Sequence, residues 1–116
     1  MNFDHKVWAL LKRIPKGKVT TYKLIARALN SGGYRAVGNA CHRNPYAPIV
    51  PCHRVVRSDG SLGGYGGGLK KKALLLRKEG IRIRNKAIHD LEQVLFRNFW
   101  PRRSPRLPIF IGTGLR

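Results

Sequence analysis

The chain has 116 residues, 24 Lys and Arg against five Asp and Glu, and a formal net charge of +19. That length holds one small domain, or a domain with a tail, and that charge makes a polyanion the leading partner. A hydrophobic content of 42% excludes a wholly disordered chain, no apolar run approaches the roughly 18 residues of a membrane span, and Met1-Asn2-Phe3-Asp4-His5-Lys6 lacks the apolar core of a signal peptide.

The charge is uneven along the chain. Residues 1–84 carry 18 basic and 3 acidic residues, and residues 85–116 carry 6 and 2. The main positive field therefore belongs to the first segment, which is read as the functional domain. Residues 85–116 are read as a C-terminal helix and a basic, Pro-containing tail without an assigned role.

Phe3, Val7, Leu10, Leu11 and Ile14 recur on one helical face. Asn2 is placed to cap this first helix, and Pro15 with Gly17 to end it. Thr20 or Thr21 caps a second helix from Tyr22 to about Leu29, broken by Asn30-Ser31-Gly32-Gly33. A third helix runs from Tyr34 to about Arg43, and Pro45 stops it. Two short helices around a Gly-containing turn predict a helix-turn-helix. The third opens with Arg35, Ala36, Gly38 and Asn39, small enough for a backbone to approach another body. Tight helix packing is the competing explanation, and the charge favours DNA.

Pro45, Pro48 and Pro51 exclude a regular helix up to Cys52. Val55-Val56 follows as a short strand, and Arg57-Ser58-Asp59-Gly60-Ser61 as a turn. Gly63, Gly64, Gly66, Gly67 and Gly68 surround Tyr65. Ordering so many glycines is entropically costly, and the useful return is a backbone that can lie against a ligand. A fourth helix spans about Leu69 to Glu79, with Leu69, Ala73 and Leu76 on one face and Gly80 at its C-terminal cap. Ala87, Ile88, Leu91, Val94 and Leu95 suggest a fifth. Pro101, Pro105 and Pro108 then mark a basic coil ending in Ile109-Phe110-Ile111.

The chemistry concentrates at Cys52-His53. A thiol becomes a strong nucleophile when a neighbouring His or helix terminus favours its thiolate; a buried, inert Cys is the plain alternative. Glu79 is one of only five acids, and a carboxylate there could orient His53 in a Cys–His–Glu relay. Two Cys are too few for a disulfide scaffold. The pairs Cys41-His42 and Cys52-His53 set their ligands closer together than structural zinc sites do, so no metal is expected.

The ordered pieces Val7-Trp8, Ile14-Pro15-Lys16-Gly17, Thr21-Tyr22, Ile25-Ala26, Arg35-Ala36-Val37-Gly38-Asn39-Ala40, Asn44-Pro45, Pro51-Cys52-His53-Arg54-Val55-Val56, Gly60-Ser61-Leu62-Gly63-Gly64-Tyr65, Gly68-Leu69 and Glu79 carry a further signal. Over about residues 3–84 the chain resembles the C-terminal, active-site domain of the O6-alkylguanine-DNA alkyltransferases. The resemblance implies a small α/β, mainly helical, winged-helix-like fold with a helix-turn-helix, a short β-hairpin and an active-site loop. It implies a single-turnover repair in which an alkylated guanine is flipped out of the duplex and its O6-alkyl group passes to Cys52. His53 would take the thiol proton through a water and Glu79 would hold His53. Asn44 would brace the active-site turn, and Tyr22 would crowd the phosphate of the flipped nucleotide and protonate the departing guanine. Arg35 would be the finger filling the vacated stack, while Ala36, Gly38 and Asn39 would face the minor groove. Val55, Gly63, Tyr65, Gly66 and Gly67 would wall the base pocket, with Gly66 standing where relatives often have serine.

It further implies no cofactor, no membrane, and duplex DNA containing O6-alkylguanine as partner. The chain would be a monomer free in solution, with cooperation on DNA an open alternative, in the cytoplasm or nucleoid (the nucleus in a eukaryote). The runner-up is a non-catalytic alkyltransferase-like protein that binds lesions without repairing them. A plain DNA-packaging protein would need neither Pro51-Cys52-His53-Arg54 nor the Gly-rich pocket.

Overall fold

The computed structural model describes residues 2–100. The Pro-containing stretch expected from Pro101 onward lies outside the described residues. Helix α1, Phe3–Leu11, starts where the Asn2 side chain accepts the His5 backbone N–H at 2.9 Å, and it buries Val7, Leu10 and Leu11. Strand β1, Thr20–Thr21, leads directly into α2, Tyr22–Ala28. Thr21 is the capping residue of the two candidates, its hydroxyl accepting from the Leu24 N–H at 3.1 Å. Asn30 takes the left-handed conformation (φ 55°) that reverses the chain into α3, Tyr34–His42.

Helix α3 packs on both α1 and α2 through Val37, Ala40 and Cys41. Its outward positions carry Arg35, Ala36 and Asn39. Each helix of this pair is also held by an indole: Trp8 Nε1 donates to the Ala40 carbonyl at 2.8 Å, and Trp100 Nε1 to the Ala28 carbonyl at 2.9 Å.

After the loop from Asn44 to Pro51 the chain makes a single 3-10 turn, Cys52–Arg54, and enters β2, Val55–Val56. Strand β2 pairs in parallel with β1, Thr20 opposite Val55 and Thr21 opposite Val56. This pairing sets the start of the helix-turn-helix beside the Cys52 turn. It also divides the core in two. One cluster gathers α1, α2 and α3 around Val50, Cys52, Val55 and Phe99. The other holds Val19, Val56, Leu62, Leu76, Ile81 and Ile88.

Helix α4, Leu69–Lys78, ends at Glu79 and Gly80, the latter at φ +89°. Its inward face differs from the apolar one expected. Leu69 is largely exposed and the buried residues are Lys72 and Leu76. Lys72 is tolerated there because its ammonium finds backbone acceptors.

The fifth helix expected from Ala87 is corrected to a hairpin followed by one helical turn. Strands β3, Ile83–Arg84, and β4, Ala87–Ile88, pair antiparallel across Asn85-Lys86, and α5 is only Leu91–Val94. Asn85 and Lys86 both have positive φ (52° and 62°), the requirement of the tight two-residue hairpin turn whose twist matches its strands. Asp90 at φ 58° then stops the strand before the short helix. The apolar spacing of Ala87, Ile88, Leu91, Val94 and Leu95 mimics a helix because a strand and a helical turn abut.

Residue 84, where the sequence divides, is inside this hairpin. The segment beyond it packs on the domain: Val19 N–H donates to Val94 at 2.8 Å, Phe96 N–H to Val19 at 2.6 Å, and Phe99 is buried in the first cluster. Among the described residues no helix is long and apolar enough to cross a membrane.

Candidate active site

Cys52 opens the 3-10 turn, and the backbone before it is fixed by Asn44. The Asn44 side chain donates to the Val50 carbonyl at 2.7 Å and accepts from the Tyr46 N–H at 3.0 Å. The same Val50 carbonyl accepts the Cys52 N–H at 2.9 Å. Asn44 thus spans the turn and holds the residue two before the thiol.

His53 is 2% exposed. Its Nε2 lies 3.0 Å from Glu79 Oε2, and among the described residues its Nδ1 is buried without a hydrogen-bond partner. A carboxylate only accepts hydrogen bonds, so Nε2 carries the proton and Nδ1 presents its lone pair. Burial pulls the His53 pKa below its ordinary value, against the opposing pull of Glu79. The ring is therefore held neutral, as a base must be. Tyr65 meets it edge to face, with centroids 6.4 Å apart.

Glu79 is shared. Arg54 grips it with Nε at 2.9 Å and Nη2 at 2.7 Å, while Arg54 Nη1 reaches the Ile14 carbonyl at 2.8 Å. Burial alone would raise the Glu79 pKa, but the hydrogen bonds from Arg54 and His53 overturn it and the net shift is downward. A bidentate Arg on a carboxylate is a geometrically specific pair, so the carboxylate facing His53 is fixed in place and charge.

A cavity of about 610 Å³ opens at Cys52, with Tyr22, Arg35, Gly38, Tyr65 and Gly66 also in its lining and His53, Arg54 and Glu79 outside it. The parallel β1–β2 pair brings Tyr22, first residue of α2, to the thiol, and α3 contributes Arg35 and Gly38. Burial pushes the Tyr22 phenol well above its ordinary pKa, and the nearby Cys41 and Cys52 add to the shift. The phenol therefore keeps its proton.

Other expected wall residues lie elsewhere. Val55 is fully buried in the core. Gly63 sits behind Tyr22, where an added Cβ would come within 3.1 Å of the phenol oxygen. Gly67 lies under the Tyr65 ring, which would be 3.0 Å from an added Cβ. Ala36 and Asn39, expected to face a duplex rather than the cavity, are exposed on the outer face of α3. Cys41 lines the cavity beside Cys52, and burial pushes its thiol up to about 12. Both cysteines are free. Among the described residues no three Cys, His, Asp or Glu gather as a metal site.

Sequence reasoning missed three residues here. Arg54, which fixes Glu79, sits inside the quoted motif but carried no role. Arg57 lines the cavity. Lys72 is fully buried and donates to the Val55, Leu62 and Gly64 carbonyls. Its signal was its place one turn before Leu76 on α4, masked by the run Lys70-Lys71-Lys72.

Residues 2–81 match the family model described as the 6-O-methylguanine DNA methyltransferase DNA-binding domain. A methylated-DNA–protein-cysteine methyltransferase of Methanosarcina barkeri is 49% identical over 84 residues, 72% of this chain and 53% of that one. The chain spans about half the length of the methyltransferases it matches. Among solved structures, Mycobacterium tuberculosis OGT in complex with DNA superposes with TM-score 0.66 at 46% identity, over 68% of this chain and 50% of that one. S. pombe Atl1, in complex with damaged DNA containing O6-carboxymethylguanine, superposes with TM-score 0.73 at 29% identity, over 81% of this chain and 94% of that one.

Proposed function

We propose that this chain, which belongs to the family of the 6-O-methylguanine DNA methyltransferase DNA-binding domain, repairs O6-alkylguanine in duplex DNA by moving the alkyl group irreversibly onto Cys52. Residues 1–84 form the repair unit, supported by the packed segment that follows. The observation that carries this reading is the neutral, Glu79-held His53 with its free Nδ1, next to Cys52 at a cavity shared with Tyr22 and Arg35.

The target base is extruded into the cavity, at a cost of a few kcal/mol of stacking and pairing. Arg35, exposed at the start of α3, fills the gap and offsets part of that cost by stacking. Ala36, Gly38 and Asn39 let the helix lie close to the minor groove. His53 Nδ1 receives the Cys52 proton through a bridging water. The thiolate attacks the alkyl carbon in line, the carbon–O6 bond breaks, and its electron pair stays with guanine. Tyr22 protonates the departing base, and His53 returns a proton to the phenolate, so the thiol proton ends on guanine. The thioether on Cys52 ends the protein's activity. Surface Lys and Arg hold the duplex through phosphates without reading sequence.

The test is intact mass after incubation with a duplex containing O6-methylguanine. A one-methyl gain that maps to Cys52 and is absent in Cys52→Ala supports repair. A second reading, a lesion-binding module without transfer, draws on the likeness to Atl1 over 94% of that protein. Tight binding with no adduct would establish it and overturn repair.

A further inference from the structure

We propose that the segment Pro105-Arg106-Leu107-Pro108-Ile109-Phe110-Ile111 docks, extended, in an aromatic groove between α1 and the loop that leads to Cys52. The proposal goes beyond the repair reading and does not depend on it.

The groove is a second cavity, of about 690 Å³, lined from α1 by His5, Trp8 and Lys12 and from the loop by Pro45, Tyr46 and Ile49. Its rings meet edge to face: Trp8 stands 5.1 Å from His5 and 6.0 Å from Tyr46 between centroids. Ile49 is nevertheless 88% exposed and Tyr46 58%. Single exposed apolar residues are ordinary, but these two flank an aromatic cavity, the mark of a surface that another group covers. Among the described residues nothing covers Ile49.

The chain itself delivers an occupant. Arg13 follows Lys12, the groove residue nearest the end of α1. Its Nη1 donates to the Phe99 carbonyl at 3.2 Å, and its guanidinium lies 5.2 Å from the centroid of the Trp100 ring. The chain therefore passes from Trp100 to Pro101 beside the C-terminal end of the groove's α1 wall. His5 to Lys12 spans roughly 10 Å of helix. Eight residues, 101–108, separate Trp100 from Ile109, and a Pro-rich stretch of that length covers roughly 25 Å. The reach exceeds the groove.

The residue pattern fits as well. Pro101, Pro105 and Pro108 favour the polyproline II conformation, which aromatic-lined grooves recognise. At its three residues per turn, Leu107-Pro108 and Phe110-Ile111 fall on two adjoining edges, and Arg103 and Arg106 on the third. The apolar edges meet Trp8 and Tyr46, while the guanidiniums turn to solvent, away from Lys12. Docking also bears on the Cys52 turn. Tyr46 donates its N–H to Asn44 and accepts the Val50 N–H at 3.0 Å, and Tyr46 and Val50 both line the groove. The segment thus clamps the back of the loop that Asn44 braces from within.

The experiment places the photo-crosslinking amino acid p-benzoylphenylalanine at position 110 of the full chain and maps the products by peptide mass. Docking predicts products within one chain, on the peptide holding residues 5–12 or the one holding residues 45–50, at a yield independent of protein concentration. Products elsewhere on the chain would overturn the proposal. So would products only between chains, which make the occupant a second copy.

A second measurement adds no bulk to the segment. Phe110→Ser combined with Ile111→Ser should lower Tm by roughly 4–8 °C, the shift that a modest loss of stability produces in a domain of this size. Leu115→Ser, outside the pattern, should leave Tm unchanged. An unchanged Tm in the double variant, or an equal fall in Leu115→Ser, would overturn the docking.

Discussion

The proposed role of His53 as a base rests on its two ring nitrogens having different neighbours: Nε2 faces Glu79, and Nδ1 has no partner among the described residues. The pH consequences follow in sign. The His53 pKa is below its ordinary 6.5 in the fold, so the unfolded chain takes up a proton below that pH that the fold refuses. Stability from this group is intact above 6.5 and is lost as pH falls from there toward the folded value. Glu79, also lowered from its ordinary 4.5, adds a second loss below 4.5. Urea denaturation at a series of pH values should show stability declining from below 6.5. A curve flat down to pH 4 would contradict the neutral His53. Single-turnover transfer from O6-benzylguanine should hold its rate down to 6.5 and fall only below it.

Glu79→Gln should slow that transfer on the order of 10²-fold, the usual scale for disturbing a general base. Arg35→Ala should spare the reaction with the free base and slow the reaction with duplex, since the proposed finger would act only on stacked DNA. Equal losses on both would remove that role. Pro51-Cys52-His53-Arg54 and Glu79 were legible in the sequence because residue type and motif order carry them. Lys72 and the grip of Arg54 on Glu79 were not, because a buried cation is recognised by its acceptors, and those are backbone carbonyls that any sequence supplies.

At the scale of elements, the helix-turn-helix is bounded by local chemistry that a sequence displays. Thr21 caps α2, and Thr21→Ala should cost about 1 kcal/mol, seen as a lowered Tm with an unchanged circular dichroism spectrum. A short hairpin was expected from the resemblance, but its place was not legible in the residues, because its turn is Asn85-Lys86 rather than a Gly-containing pair. The apolar positions beyond it fall at helical spacing only by the junction of β4 with α5. The same junction hides the role of the following segment. Phe99 fills the core between α1, α2 and α3, and Phe96 stacks edge to face on it at 5.0 Å. Phe99→Ala should therefore destabilise by about 3–5 kcal/mol, large for a domain of this size. A Tm shift within one or two degrees would show that the segment is a dispensable tail.

Across the whole molecule, the net charge of +19 contrasts with a site whose own carboxylate is neutralised by Arg54. On the proposed function the field would serve attachment to the duplex, and the chemistry would be insulated from it. Duplex affinity should fall linearly in log–log form with salt, by on the order of 10³ between ~50 and ~200 mM if about six phosphates are met. The transfer rate to free O6-benzylguanine should barely respond over that range. A shared salt dependence would mean that surface charge acts on the chemistry as well.

The chain has two Trp, and each donates to one helix of the helix-turn-helix, Trp8 to α3 and Trp100 to α2. The molecule thus carries an intrinsic optical gauge on each helix. With Trp100→Phe, the remaining emission reports the setting of α3 against α1. With Trp8→Phe, it reports α2 and the segment after α5 that reaches it, where the Arg13 guanidinium lies 5.2 Å from the centroid of the Trp100 ring. The two single-Trp variants would thus report separately, without a label, on the surroundings of α3 and of α2 when a duplex is added.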